Sequence, residues 1–162
     1  MFFLPFALLK FAICQCPTSF STSSGTSTLI ERTPGVYTPS SLVTVPGGWV
    51  NIPGATWIWE SDSYTTGPYT FLNTFYMADW ALSVLTSLKL SIAADDYYKV
   101  TFNGVVVAPQ WSGSYGYVSY YELKTWALGS SESVGSRENI LEMKVGSVGG
   151  PAGLVYKLDI VY

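Results

Sequence analysis

From about residue 29 onward, apolar and polar residues alternate in short runs separated by turn residues, and no stretch keeps the 3.6-residue period of an amphipathic helix. In Leu88-Lys89-Leu90-Ser91-Ile92-Ala93-Ala94, the residues Leu88, Leu90, Ile92 and Ala94 fall on one side and Lys89, Ser91 and Ala93 on the other. This is the period of a strand with one buried face. Tyr97 to Phe102 repeats the pattern with Tyr98, Val100 and Phe102 inward, and it runs into Asn103-Gly104 followed by Val105-Val106-Val107. Asn-Gly supplies two residues that tolerate positive φ, so a tight hairpin is predicted there. Further strands are predicted over Thr56–Trp59, Tyr69–Met77, Val118–Trp126, Ile140–Val145 and Leu154–Val161. The flexible Ser147 to Gly153 segment reads as the turn before a last, sheet-closing strand. Eight or more short strands imply an all-β chain folded as a two-sheet antiparallel β-sandwich.

Composition sharpens this picture. Only 12% of the 162 residues are charged, against roughly 25% in ordinary soluble domains, while aromatic residues reach 16%. Aromatic side chains suit a pleated, half-buried surface, and the 15 Gly and 9 Pro supply the punctuation between strands. The net charge is −3 and the eight basic residues form no cluster, so the chain has no electrostatic footprint for nucleic acid. Histidine is absent, which removes the usual general base, the commonest metal ligand and any Ser-His-Asp or Cys-His constellation.

The N-terminal part reads as three units. Residues 1–16 begin with the apolar run MFFLPFALLKFAIC, too short for a membrane span and read as a signal peptide, so the protein is expected to be extracellular. Lys10 interrupts that run and no basic residue precedes it; a buried segment or a membrane-surface anchor is the alternative reading. Cys14 and Cys16 are the only cysteines, and removal of residues 1–16 leaves no thiol. Residues 17–28, Ser/Thr-rich and nearly uncharged, read as a linker or tail suited to O-linked sugar, and residues 29–162 as the sandwich domain. None of the four asparagines lies in an Asn-x-Ser/Thr sequence.

Three segments in order, Ala55-Thr56-Trp57-Ile58-Trp59, Ala93 to Gly104 and Gly149-Gly150-Pro151-Ala152-Gly153-Leu154, resemble the galactose-binding-like jelly rolls that occur as accessory modules of secreted glycoside hydrolases and surface proteins. The resemblance spans roughly residues 48 to 162. It implies a jelly-roll sandwich that binds carbohydrate through loops at one end and carries a structural calcium ion (Ca2+). Fold alone does not fix function.

Candidate chemistry follows from the residues themselves. Sugar rings present apolar C–H faces, so exposed aromatic side chains make platforms for them. The uncharged, aromatic and Ser/Gly-rich stretch Pro109 to Tyr121 has the composition of a recognition loop, with Trp111, Tyr115 and Tyr117 as first contacts and Trp80 as a second candidate. The competing reading folds Trp111 and Trp80 back onto the sandwich. Trp57 and Trp59 share one face of a predicted strand and are read as core. Asp95 and Asp96 suit turn-amide acceptors, and as a metal site they would be joined by Glu60 and Asp62, since calcium gathers six to eight oxygens from several loops. A glycosidase needs two carboxyl groups facing each other across a cleft, and nothing marks such a pair among the 11 acidic residues. A non-catalytic module is therefore expected, binding a glycan or an extracellular-matrix component. The alternative is a structural, self-assembling homo-oligomer whose exposed aromatics form subunit interfaces.

Overall fold

A computed structural model describes residues 18–108, 119–128 and 138–162. The strands are β1 (Ser19–Ser23), β2 (Leu29–Thr33), β3 (Val36–Pro39), β4 (Ser41–Leu42), β5 (Ile58–Trp59), β6 (Gly67–Tyr76), β7 (Ser87–Asp95), β8 (Tyr97–Phe102), β9 (Val105–Ala108), β10 (Lys124–Ala127), β11 (Glu138–Ser147) and β12 (Gly153–Val161). A single helical turn and a half, α1 (Asp79–Ser83), follows β6, and a 3-10 turn (Ser119–Tyr121) precedes β10. The strands form two antiparallel sheets. The first has the order β10-β7-β12-β5-β4, with β1 also paired to β12, and the second β3-β2-β6-β11-β8-β9. The chain is an all-β sandwich, as its alternation predicts.

Alternation decides the core. Leu88, Leu90, Ile92 and Ala94 on β7 and Leu154, Tyr156, Leu158 and Ile160 on β12 face Phe71 and Phe75 on β6, Leu141, Met143 and Val145 on β11, and Tyr98, Val100 and Phe102 on β8. All are buried, and each large side chain removed from water contributes about 1.5–3 kcal/mol. The β8–β9 hairpin forms at Asn103 (φ 48°) and Gly104 (φ 79°), the positive-φ pair that a tight primed turn requires. Asn103 also ties the turn to β11: its Oδ1 accepts from the Ile140 amide at 2.8 Å and its Nδ2 donates to Asn139 Oδ1 at 3.0 Å.

The stretch read as a tail is instead part of the sandwich. Residues Ser19 to Ser23 pair in register with Val161 to Lys157 of β12. Ser24 and Thr28 are buried, because their hydroxyls satisfy groups that an apolar side chain would leave orphaned. Ser24 Oγ accepts from the Tyr156 amide at 3.1 Å, and Thr28 Oγ1 hydrogen-bonds the Tyr156 hydroxyl at 2.8 Å. The same phenol reaches Asn73 on the facing sheet, whose Oδ1 accepts from Thr22 Oγ1 at 3.1 Å. Low hydrophobicity marked this segment as unable to fold alone, and it folds here as the polar complement of a buried tyrosine. Two other expectations change. The strand predicted over Thr56–Trp59 shortens to Ile58–Trp59, and that over Val118–Trp126 divides into the 3-10 turn and β10, with Val118 outside the described residues. The predicted signal peptide also lies outside them. Among the described residues no helix is long and apolar enough to cross a membrane.

Candidate functional site

The outward face of β7 and β12 is not left to solvent. Ala93 and Val155 point away from the inter-sheet core and, with Ile52 and Trp57, form a second buried cluster that Trp49, Val50 and Tyr120 cover. The covering segment, residues 43–57, is an irregular strap. Val43 N–H donates to Trp57 O (3.0 Å), Val50 N–H to Tyr120 O (2.9 Å) and Trp57 Nε1 to Val50 O (2.9 Å). Gly153 permits the close approach, because a Cβ there would stand 2.8 Å from the Trp57 ring and 3.2 Å from that of Trp49. Trp57 and Trp59 thus part company. Trp59 enters the core between the sheets, whereas Trp57 packs on the opposite side of its sheet.

Above Trp57 the aromatic rings continue toward solvent. Trp49 meets Trp57 edge-on at 4.6 Å between centroids and stacks on Tyr120 at 4.6 Å with 19° between planes. Tyr120 in turn contacts Tyr121 at 4.0 Å, and Tyr121 is 61% exposed. The result is a graded platform, anchored in a buried tryptophan and ending in an exposed tyrosine. The Tyr120 phenol is pushed up to about 12 by its hydrogen bond to Tyr121, with desolvation and the nearby charges of Tyr121, Asp95 and Asp96 adding to the effect.

Asp95 ends β7 on the same side as Ala93, directly across from Gly153, and so lies at the foot of this platform. It is buried, with Oδ1 lacking a hydrogen-bond partner. Its pKa rises to about 8, first through burial and then through a hydrogen bond and repulsion from Asp96, so Asp95 keeps its proton at neutral pH. The Asp95–Asp96 peptide is cis. Asp96 accepts from the Val148 amide at 2.8 Å through Oδ2, which serves the turn-binding role its position predicts.

The remaining sequence candidates are dispersed. Glu60 pairs with Arg32 at 3.4 Å, and Asp62 closes its own turn by accepting from the Tyr64 amide at 2.8 Å. Among the described residues no three acidic, His or Cys side chains converge in a way that would hold a metal ion, so Glu60 and Asp62 do not complete a cluster with Asp95 and Asp96. Trp80 lies on α1, 45% exposed, with its ring 5.5 Å from that of Tyr162 and an open depression beside it lined by Tyr76, Met77, Ala78 and Asp79. It sits near the Ser87 end of β7, about 26 Å along that strand from Asp95, and so cannot share a site with the platform. Trp111, Tyr115 and Tyr117 lie outside the described residues; only the end of their segment, Tyr120 and Tyr121, is placed, and it reaches the platform. Trp49 went unmarked in the sequence. Its signal was a Pro46-Gly47-Gly48 turn delivering an aromatic residue to the side of a sheet where the small residues Ala93 and Gly153 leave room for it.

No protein-family model and no curated protein matches the chain. Among solved structures it is similar to a glycosyl hydrolase family 2 member from Bacteroides cellulosilyticus, with a TM-score of 0.53 and 15% identity over 86% of this chain and 20% of that chain. The chain therefore spans about a fifth of that protein's length, and the likeness is one of fold: a two-sheet β-sandwich.

Proposed function

We propose that the protein is a secreted, non-catalytic carbohydrate-binding module of galactose-binding-like type, which holds a glycan against the Trp49–Tyr120–Tyr121 platform. The observation that carries this reading is the graded aromatic stack, because stacked rings that end in an exposed phenol match the apolar face of a sugar ring. Phenol hydroxyls and the part-buried Asp96 carboxyl near its foot supply hydrogen-bonding groups for sugar hydroxyls. The 109–121 segment, which delivers Tyr120 and Tyr121, brings Trp111, Tyr115 and Tyr117 into the same reading as further contacts.

A binding role is favoured over glycoside hydrolysis by the carboxyl geometry. Asp95 and Asp96 are hydrogen-bonded to each other, closer than the roughly 5–9.5 Å that lets two carboxyls flank a glycosidic bond. A glycan-array screen tests the proposal. The wild-type protein is expected to bind a defined set of glycans, and Tyr121→Ala to lose them while melting at an unchanged temperature. A well-folded wild-type protein that binds nothing on the array would refute it.

A further inference from the structure

The two sheets differ in what lies on their outer faces. The strap and its tryptophans cover one, whereas among the described residues nothing covers the outer face of β3-β2-β6-β11-β8-β9, which exposes Leu29 (37%), Ile140 (42%) and Val106 (46%). Leu29 lies directly beside Leu72 across the β2–β6 pair, and Thr101 beside Val106 across β8–β9. These positions belong to one row across the sheet, Pro39, Leu29, Leu72, Glu142, Thr101 and Val106, which is apolar at its two ends and carries the Glu142 carboxylate near its middle.

The charges on that face have a symmetry. The strand registers place Glu31, Thr70, Lys144 and Lys99 in one row across β2, β6, β11 and β8. The midline of this six-stranded sheet falls between β6 and β11, so Glu31 and Lys99 stand equally far to either side of it. Lys144 has a local partner in Glu142 at 4.0 Å. Among the described residues neither Glu31 nor Lys99 forms an ion pair; Glu31 only accepts from the Gly35 amide at 2.7 Å.

We infer that two copies of the chain associate through this face, about a two-fold axis that runs along the strands between β6 and β11. Such an axis sets β2 over the partner copy's β8 and β6 over its β11, which brings each Glu31 opposite a Lys99, sets Leu29 and Pro39 against Thr101 and Val106, and lays Glu142 over Leu72 beside the axis. Two ion pairs then form by one operation, which is the self-complementarity that an isologous dimer requires. Six strands about 4.8 Å apart, of 4 to 10 residues at about 3.4 Å each, present on the order of 600 Å² per copy, somewhat below the roughly 800 Å² per partner of a standard interface.

Sedimentation velocity on the purified protein across a concentration series is the test. A reversible dimer is expected. Glu31→Lys and Lys99→Glu should each weaken it by at least about tenfold, and the double exchange should restore it, because each single change turns two attractions into repulsions. Ile140→Lys should abolish association, and since all three positions face solvent the variants should melt with the wild type. A monomer at every concentration overturns the inference, and so does a dimer that the single exchanges leave unchanged.

Discussion

Two buried polar groups set the chemistry at the scale of residues. Asp95 keeps its proton in the folded chain to about pH 8 and releases it near 3.8 when unfolded, so the folded state binds more protons between those values. Its contribution to stability is therefore full below about pH 4 and is lost as pH rises toward 8. In Asp95→Asn the amide replaces the protonated carboxyl as donor to Asp96. Thermal melts should show the wild-type melting temperature falling relative to this variant between pH 5 and 8; parallel curves would contradict the proton held on Asp95. Tyr156 presents the second case. Burial pushes its phenol well above the ordinary range, and Tyr156→Phe leaves Thr28 and Asn73 short of a partner. Denaturant unfolding should show a loss of about 1–3 kcal/mol.

The same residues explain what the sequence concealed. Leu88 to Ala94 and the Asn103-Gly104 hairpin were readable because alternation and turn chemistry are local. The role of Ser24 and Thr28 was not, because it depends on a tyrosine more than 100 positions away in the chain. A Ser/Thr-rich segment and a strand that caps a buried phenol have the same composition, and only the partner distinguishes them.

Among elements, β12 holds the molecule together. It pairs with β7 along its whole length, takes β1 beside its C-terminal half, and meets β5 at Leu154. Its first residue, Gly153, sets the depth at which the strap can dock, and this links β12 to the platform. Gly153→Ala should push Trp57 and Trp49 outward, cost about 1–3 kcal/mol in chemical denaturation and weaken glycan binding together with it. An unchanged midpoint would show that the strap docks more loosely than its contacts indicate. The platform was only half legible at this scale. Its tyrosines stood out as an aromatic cluster after residue 109, but Trp49 comes from a turn some 70 positions earlier, and only the small residues Ala93 and Gly153 in two strands mark where it lands.

For the whole molecule, the two sheets divide the work. Their inner faces make one apolar core, the outer face of the β7–β12 sheet supports an aromatic platform, and the outer face of the other sheet carries the self-complementary charges. A dimer built on the second face leaves both platforms pointing away from the shared axis. On the proposed binding role, each copy then holds glycan without obstruction, and two sites on one particle engage a multivalent surface more tightly than either alone. Calorimetric titration of a glycan selected from the array into the wild-type protein and Tyr121→Ala tests the platform most directly. Binding by the wild type and at least about a tenfold loss in the variant, with an unchanged melting temperature, is the predicted result. Equal affinity in the two proteins would place the glycan elsewhere and contradict the platform as the binding site.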